Sequence, residues 1–212
     1  MTEVQKAILD IFKEVKKICD DNGIKYFAIG GTCIGAVRHK GYIPWDDDLD
    51  IAIPIEKFND FFKIAKKALP PKYEIYSCSN IKHYGFVFNK IINAETTFVE
   101  NTQIRYRDCY KGVFVDIMPI SGVPTDLKDI KKFCKKIVLY LKLNEKLRFP
   151  QKMKTLKGFL TSLIMAILSI VLDKNYFSDK IYKLLEQYPF SSSNFTGYVW
   201  SFKLNKLIFP VK

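Results

Sequence analysis

Asp46, Asp47, Asp48 and Asp50 crowd together just ahead of the apolar run Ile51-Ala52-Ile53. From Asp48 onward acidic and apolar residues alternate with the period of a strand, which turns Asp48 and Asp50 to one face. Two unit charges about 4 Å apart repel by about 4 kcal/mol at an effective dielectric of about 20. A divalent cation between them removes that repulsion, and the chemistry such a pair supports is metal-assisted transfer at phosphorus. Upstream, Gly30-Gly31-Thr32 follows the apolar run Tyr26-Phe27-Ala28-Ile29, forming a turn in which backbone amides can approach a phosphate. The plainer alternative for the acidic run is a solvated turn with ordinary caps.

Two other motifs are excluded by position. Asp46, Asp48 and Asp50 have the first spacings of an EF-hand loop, but Ile51 stands where Gly is required and Lys57 where the final Glu belongs. Gly30, Gly31 and Gly35 do not make a P-loop, because Ala36 and Val37 occupy the Lys and Ser/Thr positions. Cys19, Cys33, Cys78, Cys109 and Cys134 form no Cys-x-x-Cys pair, so reduced thiols in a cytoplasmic protein are expected. With His39 and His83 as its only histidines, the chain has no His-rich metal site.

The elements that must position these residues follow from periodicity. Val4, Ile8, Ile11, Val15 and Ile18 recur at helical spacing and Asn22-Gly23 supplies a stop, which predicts a packing helix. A strand over 25–29 leads into the Gly-Gly turn, and a short helix is expected over 32–37. Arg38, His39 and Lys40 then place positive charge beside the acids. Arg38 is a candidate phosphate clamp; an ion pair with a neighbouring aspartate is the alternative.

After Pro54, Phe58, Phe61, Phe62 and Ala65 mark a helix that Pro70-Pro71 ends. Strands are expected over 73–76, 85–92 and 96–99. The nearly continuous apolar run 112–119 contains one acid, Asp116. Burying an unpaired carboxylate is costly, so Asp116 needs a partner. A strand lying beside the one with Asp48 and Asp50 would make Asp116 the third carboxylate of a metal site; a buried hydrogen bond or ion pair is the alternative.

Several of these blocks resemble the LicD family of phosphotransferases. The first comprises Gly31-Thr32, then Ile34 to Gly41, then Ile43-Pro44-Trp45-Asp46-Asp47-Asp48-Leu49-Asp50-Ile51. The stretch from Lys90 to Glu100 is similar to a second family block, which makes Lys90 a donor-phosphate candidate beside the alternative of a solvated strand lysine. The Gly-hydrophobic-Asp-hydrophobic-Pro setting of Asp116 is similar to a third.

The resemblance implies an α/β (α+β) fold, with a nucleotidyltransferase-like mixed sheet core and a basic C-terminal helical region. It further implies transfer of a phosphocholine-like group from a CDP-linked donor to a hydroxyl of a cell-surface glycan. Asp48, Asp50 and Asp116 would hold Mg²⁺ or Mn²⁺. Gly30, Gly31 and Thr32 would cradle phosphate, with Arg38 and Lys90 clamping it, and Asp46 or Asp47 would act as base. Trp45, with Tyr42, Tyr84, Phe86 and Tyr106, is available to cage a quaternary ammonium. Delivery of a nucleoside monophosphate, and a glycan- or lipid-binding relative without turnover, are the competing functions.

Charge divides the chain. Residues 1–125 hold 17 Lys and Arg against 16 Asp and Glu, giving +1, whereas 126–212 hold 17 against 6, giving +11. The expected organisation is a catalytic core over 1–125 and a basic helical region over 126–212. The family's later strand and its Tyr-Gly-Asp-like segment have no counterpart, so the second region reads as shortened. Its charge suits an anionic partner such as a membrane surface at the inner face of the membrane. Nucleic acid ranks last, because the Gly-aromatic motifs of RNA modules are missing. Residues 158–172 carry no charge but fall short of the roughly 20 residues that span a bilayer, which predicts a buried or interfacial helix.

Overall fold

The computed structural model describes residues 1–81, 84–98, 112–148, 156–198 and 209–210. Helix α1 (Glu3–Asp21) begins with a capping box: Thr2 Oγ1 accepts from the Gln5 amide at 3.1 Å, and Gln5 Oε1 accepts from the Thr2 amide at 2.9 Å. Its stripe Ile8, Ile11, Val15 and Ile18 is buried. Gly23, at φ +62°, ends it in the left-handed conformation the sequence predicts.

Strand β1 is shorter than expected, Phe27–Ala28, because Gly30 at φ +55° turns the chain sharply into helix α2 (Gly30–Ile34). The helical path widens over Gly35–His39 into a turn with i to i+5 bonding. Strand β2 (Asp50–Pro54) leads straight into helix α3 (Ile55–Ala68), which buries Phe58, Phe61 and Ala65. Strand β3 (Tyr73–Tyr76) matches its expected range, and β4 runs over Asn89–Asn93. Strand β5 (Phe114–Gly122) is buried at every position.

The strand expected over 96–99 does not form at its described residues, 96–98. Thr96 Oγ1 instead donates to the Asn93 carbonyl at 2.8 Å and accepts from the Val113 amide at 2.9 Å, closing a turn where a ladder would have run. Val99 lies outside the described residues. Gly85 to Phe88 likewise stay out of the sheet, and Tyr84, Phe86 and Phe88 form an aromatic cluster.

The sheet order is β1-β2-β5-β4-β3. Strands β2 and β5 are parallel, while β1–β2, β3–β4 and β4–β5 are antiparallel. The later half of β5 pairs with β6 (Phe195–Tyr198), which pairs with β7 (Phe209–Pro210).

Helix α4 (Leu127–Arg148) starts where the Asp126 carboxylate accepts from the Lys128 amide at 2.7 Å. Its last turns are tied down where Asn144 donates to the Gly85 carbonyl at 2.9 Å and Arg148 donates to the Lys174 carbonyl and to Asn175 Oδ1. Helices α5 (Leu156–Val171) and α6 (Tyr176–Leu185) follow. Among the described residues no helix is long and apolar enough to cross a membrane.

The period of the strands divides the molecule into a packed side and a working side. Ile51 and Ile53 of β2, Ile91 of β4, and Val115 and Ile117 of β5 face one way. They pack with Ile8, Ile11, Phe58 and Phe61, and with Ile130, Phe133, Ile181 and Leu185 of the C-terminal helices, in one hydrophobic core. Ala52 and Met118 face the other way, into a smaller cluster with Ile29, Phe88 and Ile120. Asp50 and Asp116 alternate with the main-core residues and so belong to this second face.

Candidate active site

Parallel pairing sets Asp50 of β2 directly beside Asp116 of β5, and antiparallel pairing sets Lys90 of β4 on the other side of Asp116. Strand neighbours lie about 4.8 Å apart and share a face, so Asp50, Asp116 and Lys90 form one row across the sheet. Lys90 Nζ is 2.9 Å from Asp116 Oδ1. Lys90 is 1% exposed and Asp116 8%, which rules out the solvated-lysine alternative and provides the partner that burial of Asp116 demands. The ammonium also lies 3.2 Å from the centroid of Phe114, with Phe86 and Phe88 at 5.6 and 5.8 Å.

Asp50 has a different environment. Its carboxyl is pushed up from 3.8 to about 8, first by burial, then by the charges of Asp116 and Asp48, against a smaller lowering by Lys90. In this environment the Asp50 carboxyl favours its protonated form near neutral pH. Burial and the Asp47 charge also raise Asp46, and burial together with Asp48 and Asp46 pushes the Tyr42 phenol up to about 12.

The glycine turn fits against these acids. A Cβ on Gly30 would lie 3.3 Å from Asp50 Oδ2, and one on Gly31 would lie 2.6 Å from Asp46 Oδ2. Thr32 Oγ1 accepts the Asp50 amide at 2.8 Å, which ties α2 to the start of β2. The loop that returns from α2 closes at Gly35, where a Cβ would be 2.5 Å from the Gly41 carbonyl.

Other predicted residues lie farther out. Asp47 is exposed, Trp45 is 79% exposed with its ring edge against His39, and Tyr84 is a core residue. Exposed Arg38 donates from Nε to His39 Nε2 at 3.0 Å, and among the described residues it makes no ion pair with an aspartate. His83 and Tyr106 lie outside the described residues.

One contributor is missing from the sequence reading. Gln5, buried in α1, donates from Nε2 to the Asp46 carbonyl at 2.8 Å and to the Ile43 carbonyl at 3.3 Å. The first helix therefore holds the loop that delivers the acids. Thr2-x-x-Gln5 was legible as a cap, but nothing local shows that the same amide reaches 41 residues along the chain.

The nucleotidyltransferase domain described as LicD/FKTN/FKRP matches residues 23–159. The chain belongs to this family. The family domain includes the glycine turn, all four clustered aspartates, Lys90 and Asp116. The lipopolysaccharide cholinephosphotransferase LicD of Haemophilus influenzae is 30% identical over 207 residues, covering 95% of this chain and 74% of that protein. The uncharacterized protein RP689 of Rickettsia prowazekii is 47% identical over 115 residues, 51% of this chain and 41% of that one. Human ribitol 5-phosphate transferase FKRP is 35% identical over 123 residues, 57% of this chain but 22% of that protein.

As they stand, no three His, Cys, Asp or Glu side chains among the described residues are grouped to hold a metal ion. The donor set at Asp50 and Asp116 nonetheless suits a hard cation. Mg²⁺ commonly takes one or two protein carboxylates and completes its shell with water and substrate phosphates.

Proposed function

We propose that this family member transfers a phosphorylated small group, phosphocholine-like, from a CDP-linked donor to a hydroxyl of a cell-surface glycan. The observation that carries the reading is the in-register pair Asp50 and Asp116, half-buried and buried respectively on the sheet face opposite the main core and bordered by the glycine turn. The cholinephosphotransferase relative supports phosphocholine as the group. The human relative favours a second candidate, ribitol 5-phosphate, on the same chemistry.

In this proposal Asp50 and Asp116, with Asp48, would hold Mg²⁺ or Mn²⁺, which would supply positive charge to neutralise the donor diphosphate. Lys90 supplies the counter-charge for Asp116 and fixes it in place. Gly30 and Gly31 leave room for phosphate oxygens to approach the backbone, and Thr32 holds the acidic strand against them. The exposed guanidinium of Arg38 can close on the donor from solvent. Asp46 or Asp47 accepts the proton of the glycan hydroxyl as its oxygen bonds to the choline-side phosphorus and CMP departs. The basic C-terminal half is assigned to an anionic membrane surface.

Phosphorus NMR with Mg²⁺, CDP-choline and a glycan acceptor tests this. The expected result is free CMP from the wild type and none from Asp50→Asn. Donor binding without CMP would leave a binding protein, and a nucleoside monophosphate attached to the acceptor would show nucleotidyl transfer instead.

A further inference from the structure

Helix α5 presents an apolar surface outward. Leu160, Leu163, Ile164, Ile167, Ile170 and Val171 range from 49% exposed at Leu163 to 85% at Ile170. They recur at the i, i+3, i+4, i+7 spacing of one helix face and make one continuous stripe. The opposite side carries buried Met165 and half-buried Ser162 and Leu168, and α5 packs on α4. No charged residue interrupts 158–172, so the outward stripe lacks the polar cover of a water-facing helix. Ser169, exposed on this helix, donates its hydroxyl to the Ala166 carbonyl at 2.7 Å, satisfying itself without water.

Length and charge decide what covers the stripe. The helix has 16 residues, about 24 Å at 1.5 Å per residue, against a hydrocarbon core of about 30 Å, so it lies along a bilayer instead of crossing it. The part of the chain that carries it is basic: residues 126–212 carry +11, and Lys131, Lys132, Lys135, Lys136 and Lys142 are exposed on α4, the helix on which α5 packs. A second copy would bring the same +11 against it, whereas an anionic bilayer brings the opposite sign.

We propose that α5 is an interfacial helix, seating its stripe from Leu160 to Val171 in the headgroup boundary of an anionic bilayer while the lysines of the C-terminal half meet lipid phosphates. The contact names the element behind the membrane partner suggested above, and it is read without turnover, so its failure and that of the transferase reading are separable.

The test uses the full chain with unilamellar vesicles of phosphatidylcholine alone or mixed equally with phosphatidylglycerol. Co-sedimentation is expected with the mixed vesicles, falling about tenfold or more on phosphatidylcholine alone and in the double variant Ile164→Asp/Ile167→Asp. Both positions are exposed, and circular dichroism melting confirms that the variant folds. A second variant, Lys135→Glu/Lys136→Glu, should weaken binding most at low salt. Three results overturn the proposal: no vesicle binding, binding unchanged in the Ile164/Ile167 variant, or a dimer in sedimentation velocity that the same variant dissolves.

Discussion

Lys90 and Asp116 meet across β4 and β5, with Nζ 2.9 Å from Oδ1 and both residues buried beside the Asp50 carboxyl. Lys90 pairs with Asp116 and also lowers Asp50, but burial first, and then the charges of Asp116 and Asp48, leave the Asp50 carboxyl raised to about 8. The site thus has an internal counter-ion for Asp116, while Asp50 favours its protonated form near neutral pH.

Lys90→Met should destabilise the fold by about 3–5 kcal/mol, because a buried carboxylate loses its counter-ion. Lys90→Met/Asp116→Asn should recover much of that loss. Urea unfolding of the two single variants and the double variant gives the coupling directly, and additive effects would show that the pair does not act as a unit.

Asp50 makes stability depend on pH with a definite sign. The folded value of about 8 lies above the unfolded 3.8, so the folded state binds the extra proton between them. Without divalent metal, the Asp50 contribution should be fullest near pH 4 and decline as pH rises toward 8. Asp50→Asn removes the ionisation, so it should melt higher than wild type at pH 8 while losing transferase activity. Equal melting of the two proteins at pH 8 would mean that Asp50 carries no such strain.

Gly31→Ala places a methyl 2.6 Å from Asp46 Oδ2 and should displace that carboxylate. Gly30→Ala adds a left-handed penalty of about 1–2 kcal/mol at φ +55°. Turnover should fall about tenfold or more for Gly31→Ala, on the expectation that a small misplacement near the chemistry is costly, with a melting shift of only a few degrees. A steady-state assay beside differential scanning calorimetry separates the two effects.

Gln5→Leu removes donors from the Asp46 and Ile43 carbonyls and should destabilise by about 1–3 kcal/mol. Hydrogen exchange at the amides of 43–50 should speed up in the variant. Unchanged exchange there would mean that α1 does not hold the loop.

Much of the fold was legible because its signals are local. The stripe of α1, the Pro70-Pro71 stop and the run ending at Tyr76 each declare an element within a few residues. The strand expected over 96–99 does not form at 96–98 because the decisive interaction, Thr96 with Asn93 and Val113, depends on a chain segment that returns 17 residues later. The last turns of α4, through Arg148, likewise depend on acceptors at Gly85 and Lys174.

The site divides in the same way. Asp48 and Asp50, the glycine turn and the need of Asp116 for a partner follow from residue type, period and the expense of buried charge. Which partner Asp116 takes was decided by pairing: the parallel register sets Asp50 beside it and the antiparallel register sets Lys90 there. The tertiary structure also recruited Gln5 and left Trp45 and Arg38 on the surface. Local sequence carries the period and chemistry of each strand, but register is a relation between distant segments, fixed only when the strands pack against one shared core.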